Sequence, residues 1–91
     1  MAEETRTLPI INCRGLHARA SAKFVRLVET FDARITVSKD DNSVGGTSIM
    51  GLMMLAACQG STVDVRAEGL QSTEALDAIE ALLADKFGEG E

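Results

Sequence analysis

The chain has 91 residues, of which 45% are hydrophobic, and its 14 acidic and 9 basic side chains give a net charge of −5. Two units of half this length could scarcely bury a core each, so we expect residues 1–91 to form one domain. No apolar run approaches the roughly 18–20 residues of a membrane span, and the first residues lack the order of a signal peptide. We therefore expect a cytoplasmic protein with no membrane partner.

The hydrophobic pattern predicts the element order strand, helix, strand, strand, helix, strand, helix. Two of the helices are long enough to cover one face of a four-stranded sheet, which makes an open-faced α+β sandwich. The polar residues Met1–Thr5 are expected to fray, and Glu89–Glu91 is expected to form a tail. The predicted bounds are about Arg6–Asn12, Ala18–Thr30, Ala33–Lys39, Ser43–Gly45, Ile49–Ala57, Ser61–Ala67 and Ser72–Lys86.

The two longer helices each show an apolar stripe at helical spacing. In the first helix, bases occupy a different side from that stripe, so they are expected to face solvent. The stripes are Ala20, Phe24, Leu27, Val28 and Phe31 in the first helix and Leu76, Ile79, Leu82 and Leu83 in the last.

Charge is unevenly distributed along the chain. From Thr5 to Val28 there are five bases and no acid, so the remainder carries 4 bases against 14 acids, a charge of −10. This split predicts a basic face suited to an anionic group or an acidic partner and poorly suited to duplex nucleic acid. The five bases are Arg6, Arg14, Arg19, Lys23 and Arg26.

His17, the only histidine, follows a predicted strand and a turn that Gly15 permits, so it falls at the N-terminus of a helix. The first amides of a helix have no intrahelical partner and carry partial positive charge, so they can hold an anion. A phosphoryl group on His17 could be held in this way. The alternative is an ordinary surface or capping histidine.

The two cysteines, Cys13 and Cys58, form no CxxC pattern and are expected to be free thiols in a reducing compartment. Cys13 lies four residues before His17, and Cys58 could join them around a metal. A structural zinc site takes four ligands, and the chain offers no second His or third Cys. We therefore expect neither a metal nor another cofactor.

The middle helix is apolar on every side, which a short helix on a small domain cannot bury. Thr47 or Ser48 can cap it. If Leu52 and Leu55 enter the core, Ile49, Met50 and Met53 are exposed and suit docking to several partners, the alternative being loose core packing. Gly51 lowers helix stability and allows close approach of either a partner or a neighbouring element.

Gly15-Leu16-His17-Ala18-Arg19 and, about thirty residues later, Ser48-Ile49-Met50-Gly51-Leu52-Met53 resemble the two motifs of HPr. HPr is the histidine-containing phosphocarrier family of the bacterial phosphotransferase system. The resemblance covers nearly the whole chain in length and element order. It implies an antiparallel sheet of strand order 1-4-2-3.

The resemblance also implies a role for each motif residue. His17 would accept a phosphoryl group from enzyme I, itself charged by phosphoenolpyruvate, and pass it to enzyme IIA, so the protein would be a covalent carrier and not an enzyme. Arg19 and the amides of Ala18 and Arg19 would hold the phosphoryl oxygens. Ser48 would be the substrate of an HPr kinase/phosphatase. Ile49, Met50 and Met53 would match the family's docking patch. We also expect Lys23 and Arg26 to contact the partners, and the protein to be a monomer.

One position departs from the family pattern. Many members have proline after the arginine, where this chain has Ala20, and alanine keeps the helix intact. The departure suggests the regulatory, nitrogen-related branch or a kinase-controlled one. Two other functions stay open, a non-covalent anion-sensing domain and a relative that signals only through Ser48.

Overall fold

The computed structural model describes residues 3–89, and the predicted element order is confirmed within them. The bounds are β1 Glu3–Pro9, α1 Ala18–Val28, β2 Arg34–Lys39, β3 Asn42–Gly45, α2 Ile49–Met54, β4 Thr62–Glu68 and α3 Ser72–Ala84, followed by a 3₁₀ turn at Lys86–Gly88.

The four strands form one antiparallel sheet of order β1-β4-β2-β3, which confirms the expected topology. Central strand β4 pairs Val63 with Leu8 of β1 and Val65 with Val37 of β2. Alternate residues of β4 are buried and exposed, because the helices cover one face of the sheet and leave the other open. The largest fully buried apolar side chains are Phe24, Phe87, Ile10, Leu52, Leu76 and Ile79. None of the helices in residues 3–89 is both apolar enough and long enough to cross a bilayer.

The expectation that the first five residues fray is wrong for Glu3–Thr5, which belong to β1, while Met1 and Ala2 lie outside the described residues. Polar contacts hold this end of the strand. Arg6 bridges Glu4 at 2.9 Å and Asp77 of α3 at 2.8 Å, and Thr73 Oγ1 donates to Glu4 at 3.0 Å. The strand also ends three residues earlier than predicted, at Pro9.

Helix α1 ends two residues before the predicted Thr30, because Thr30 and Phe31 donate to the carbonyls three residues back and tighten the last turn. Phe24 is buried as predicted, whereas Leu27 and Phe31 are only partly covered. Val25, which lies outside the predicted stripe, is buried instead.

Helix α2 ends at Met54, three residues short of the prediction. Ala56 adopts a left-handed conformation with φ 54°, and this bend brings the Ala57 carbonyl to the Leu16 amide at 3.0 Å. The close approach of β3 explains why position 51 of α2 is a glycine. A Cβ there would lie 2.9 Å from both Ser48 Oγ and Val44 Cβ of β3.

The last helix also stops early, at Ala84 instead of Lys86. Lys86 and Phe87 have positive φ values of 55° and 54°, so the chain turns back and places Phe87 in the core, where 1% of it is exposed. The predicted stripe is otherwise confirmed, with Leu76, Ile79 and Leu83 buried and Leu82 partly buried.

Gly15 allows the loop before α1 to touch the segment after α2. Its φ is +64°, and a Cβ would lie 2.3 Å from the Ala57 carbonyl oxygen and 2.9 Å from Cys58 Cα. Only glycine meets both requirements, a left-handed φ and backbone-to-backbone contact. The predicted turn is confirmed, and the contact fixes where α1 begins.

We expect Gly15→Ala to lower the free energy of unfolding by about 2–4 kcal/mol, since backbone strain and overpacking add. Gly60→Ala is the matched control, because Gly60 has φ +92° with nothing within 4 Å of a Cβ. That variant should lose only the strain, about 1–2 kcal/mol. Urea unfolding followed by circular dichroism measures both, and equal losses would contradict the close contact.

Candidate functional site

His17 is the N-cap residue of α1, as predicted. Its backbone is extended, with φ −72° and ψ 178°, and its carbonyl accepts the first helical hydrogen bond, from Ser21 N–H at 2.9 Å. The amides of Ala18 and Arg19 therefore precede the first helical bond and have no acceptor inside the helix. His17 thus occupies the N-cap position through its backbone alone. Its side chain makes no hydrogen bond to the helix amides, so the alternative of a side-chain cap is wrong.

Glu89 contacts the His17 ring, with its Oε2 within hydrogen-bonding reach of Nε2. Glu89 was predicted only as the first residue of a tail, but its side chain packs against the ring and is 11% exposed. Gly90 and Glu91 lie outside the described residues. Burial raises the pKa of the Glu89 carboxyl, but the hydrogen bonds from His17 and Asn12 and the charges of His17 and Arg14 together lower the pKa of Glu89 below its usual value.

Asn12 is a second residue that the sequence reasoning did not assign to the site. It is fully buried, and its Nδ2 donates to the Gly15 carbonyl at 2.8 Å and to Glu89 Oε1 at 3.1 Å. An amide that faces two oxygens must present its nitrogen, so these contacts fix its orientation. The Asn-Cys-Arg-Gly sequence is typical of a turn and could have pointed to Asn12, whereas nothing local points to Glu89.

The predicted basic face is only partly confirmed. Arg14, Arg19 and Lys23 line one depression together with Gly88 and Glu89. Arg19 is exposed in the first turn of α1, but Lys23 is half-buried and its Nζ donates to the Phe87 carbonyl at 2.6 Å, so it does not simply face solvent.

The other two bases of the acid-free segment lie elsewhere. Arg26 is exposed in the last turn of α1 and does not line the depression. Arg6 is bound by Asp77 of α3 and Glu4 of β1, and these hydrogen bonds raise its pKa above the ordinary value. Arg6 is therefore not part of the predicted basic face, whereas Arg26 lies on the surface of α1 outside the depression.

Helix α2 presents its apolar residues as predicted. Ser48 Oγ accepts from Gly51 N–H at 3.0 Å, which identifies Ser48 as the cap, and Leu52 and Leu55 are buried. We call the exposed apolar side chains of this helix the α2 patch: Ile49, Met50, Met53 and Met54, which are 39%, 72%, 42% and 78% exposed. The alternative of loose core packing is therefore wrong for Ile49, Met50 and Met53. The exposure of Met54 was not predicted.

The α2 patch adjoins the histidine. Met53, Arg14 and Cys58 line a second depression together with His17. A partner that covers the α2 patch would therefore also reach the ring. The two thiols, Cys13 and Cys58, are free and exposed, and no three His, Cys, Asp or Glu side chains among residues 3–89 are grouped so that they could hold a metal ion.

Comparison with known proteins gives consistent matches. A family model described as "PTS HPr component phosphorylation site" matches residues 4–85. A Cupriavidus necator protein named "Phosphocarrier protein HPr" is 50% identical over 86 residues, which cover 94% of this chain and 97% of the relative.

Two solved structures from Thermoanaerobacter tengcongensis have the same fold. The HPr-C-His structure superposes with a TM-score of 0.90 at 43% identity, covering 94% of this chain and 97% of its own. A structure described as an HPr dimer gives a TM-score of 0.76 at 44% identity, covering 90% and 94% of the two chains.

We expect Ser48→Ala to lower the free energy of unfolding by about 1 kcal/mol, because the cap of α2 is lost. Ser48→Asp should stay close to the wild type, since aspartate is an equally good cap and its charge suits a helix N-terminus. Thr47→Ala is the control, because Thr47 is exposed and is not the cap. Urea unfolding measures all three, and a larger loss for Thr47→Ala would refute this assignment of the cap.

Proposed function

This chain belongs to the HPr family of phosphocarrier proteins of the phosphotransferase system, and on that premise we propose that His17 is its phosphoryl acceptor. The single observation that carries the proposal is the position of the chain's only histidine, at the N-cap of α1 and beside amides that have no intrahelical acceptor. As a phosphocarrier, the protein is not a catalyst in itself.

The proposed step is a phosphoryl exchange between two imidazoles. Nδ1 of His17 attacks the phosphorus carried by a histidine of enzyme I, so one P–N bond forms while another breaks. The amides of Ala18 and Arg19 and the Arg19 guanidinium supply donors to the transferred oxygens. In the second transfer His17 is the donor, and a histidine of enzyme IIA attacks the phosphorus.

Support for Nδ1 as the acceptor comes from the ring contacts. Nε2 faces the Glu89 carboxylate, so Nδ1 is the nitrogen left for a phosphoryl group. Arg14, Arg19 and Lys23 line a depression together with Glu89, the residue that contacts the ring, so positive charge lies nearby. The partners are expected to provide the remaining catalysis, because this chain supplies positioning and charge.

The α2 patch is the proposed docking surface for enzyme I and enzyme IIA. Ile49, Met50 and Met53 are exposed, and Met53 shares a depression with His17. Arg19, Lys23 and Arg26 would add attraction to an acidic partner, with Lys23 contributing less because it is bonded to Phe87. We propose that the chain acts as a monomer, which leaves this surface open.

Ser48 is the proposed regulatory site for an HPr kinase/phosphatase. Its exposed hydroxyl begins α2, directly before Ile49 and Met50. A phosphate there adds roughly −1.5 to −2 charges at the border of the α2 patch, which a docked partner would have to desolvate. The helix N-terminus tolerates that charge, so the modification would change docking and not the fold.

Incubation with enzyme I and phosphoenolpyruvate should add one phosphoryl group that is labile to acid and stable to alkali. Mass spectrometry should show the gain in the wild type and in Ser48→Ala, and no gain in His17→Ala. A non-covalent anion-binding domain would show no gain in any variant, and a gain in His17→Ala would exclude His17 as the acceptor.

Ser48→Asp should slow phosphorylation by enzyme I at least about tenfold, since a charge placed against an acidic partner costs more than about 1.4 kcal/mol. Ser43→Asp is the charge-matched control, because Ser43 pairs with Ser38 on the uncovered side of the sheet. Initial rates of phosphohistidine formation measure both. Equal rates for Ser48→Asp and Ser43→Asp would refute control through Ser48.

A further inference from the structure

We propose that the three methionines of the α2 patch, Met50, Met53 and Met54, form a site of reversible oxidation: conversion of their thioethers to sulfoxides makes the patch polar and weakens docking. This inference goes beyond phosphoryl transfer at His17. It rests on the proposed function for the identity of the partner, enzyme I.

Methionine is concentrated in one short helix of this chain. Three of the four methionines lie in α2, and the fourth is the first residue, which lies outside the described residues. The buried apolar side chains of the same segment are leucines, with Leu52 0% and Leu55 5% exposed. Oxidisable sulfur is therefore placed on the outward side of α2, while the inward side carries side chains that resist oxidation.

The three thioethers are accessible in the folded protein. Met50 and Met54 are 72% and 78% exposed, and Met53 is 42% exposed. A peroxide has to reach the sulfur atom itself, and these exposures allow this without any opening of the fold. We expect Met50 and Met54 to react before Met53, since their side chains are the more accessible.

Oxidation by hydrogen peroxide, the proposed oxidant, balances at each sulfur. A lone pair of the thioether attacks one peroxide oxygen, so an S–O bond forms while the O–O bond breaks. The leaving hydroxide takes the proton of the transferred oxygen and departs as water. Sulfur loses two electrons and the peroxide gains them. Methionine sulfoxide reductases reverse the change with two electrons from a dithiol, and the oxygen leaves as water.

A sulfoxide in the α2 patch would affect association and not the fold. The S=O group accepts hydrogen bonds from water, and on an exposed side chain it keeps them in the folded protein. A partner that covers the patch removes that water, so the lost hydrogen bonds oppose docking. Leu52 anchors α2 in the core and Ser48 caps it, and neither side chain contains sulfur.

The position of the patch separates docking from transfer. Met53 shares a depression with His17, so a partner that reaches the ring would also contact this side chain. Oxidation leaves the ring and the amides at the start of α1 unchanged. The expected effect is therefore a higher KM for enzyme I with an unchanged kcat, which is the signature of lost binding in both the ground state and the transition state.

The test begins with Cys13→Ser/Cys58→Ser protein, because both thiols are exposed and would also be oxidised. This protein is treated with hydrogen peroxide, and catalase removes the oxidant before enzyme I is added. The KM for enzyme I should rise at least about tenfold relative to the untreated form, which corresponds to about 1.4 kcal/mol. Methionine sulfoxide reductases of both epimer specificities and a dithiol should restore the original KM.

The matched control carries Met50→Leu, Met53→Leu and Met54→Leu in the same background, since leucine is apolar and similar in volume. It retains Met1, so oxidation of that residue is common to both proteins. Mass spectrometry should show three more added oxygen atoms in the methionine protein than in the control. The KM of the control should be the same before and after treatment.

An unchanged KM in the oxidised methionine protein, or an equal rise in the control, would overturn the inference. A lower thermal midpoint together with a lower kcat after oxidation would also overturn it, because the effect would then come from the fold. If the untreated protein accepted no phosphoryl group, the proposed function would fail. Calorimetric titration with enzyme I would then decide the inference, and equal Kd values for the oxidised and untreated forms would overturn it.

Discussion

The backbone contact between Gly15 and Ala57 is the constraint on which the functional surface depends. Leu16 N–H donates to the Ala57 carbonyl at 3.0 Å, and the absent side chain of Gly15 lets the two segments meet. One segment leads into α1 and the other leaves α2. The contact therefore fixes the histidine at the start of one helix relative to the apolar surface of the other, and a partner can reach both at once.

Local sequence signals predicted the parts of the fold that depend on periodicity and turn chemistry. The alternation in β4 and the Gly15 turn are readable within a few residues of chain, and the cap of α2 was narrowed to Thr47 or Ser48 in the same way. The predicted boundaries were wrong where a contact between residues far apart in sequence determines the end of an element. Glu3–Thr5 join β1 because Arg6 and Thr73 hold Glu4, and α2 stops at Met54 because Ala57 must reach Leu16.

The candidate site shows the same division. His17 and its helix N-terminus follow from a motif, but Glu89 lies 72 residues away and reaches the ring only because Phe87 is buried first. No pattern at a polar chain end encodes such a contact. The count of charges along the chain erred in the other way, by including a residue that does not belong to the site. It grouped Arg6 with the site, although three carboxylates of β1 and α3 bind this side chain.

The depression beside Glu89 carries a charge that would suit the proposed phosphoryl group. Three bases and one acid line the depression at the start of α1, which leaves a formal charge of +2 there. A phosphoryl group brings roughly −1.5 to −2 charges, so the loaded site would be close to neutral. Attraction toward an anionic donor is then strongest before loading and weakest after it. Glu89 contributes to that balance, because removal of its carboxylate would raise the formal charge of the depression from +2 to +3.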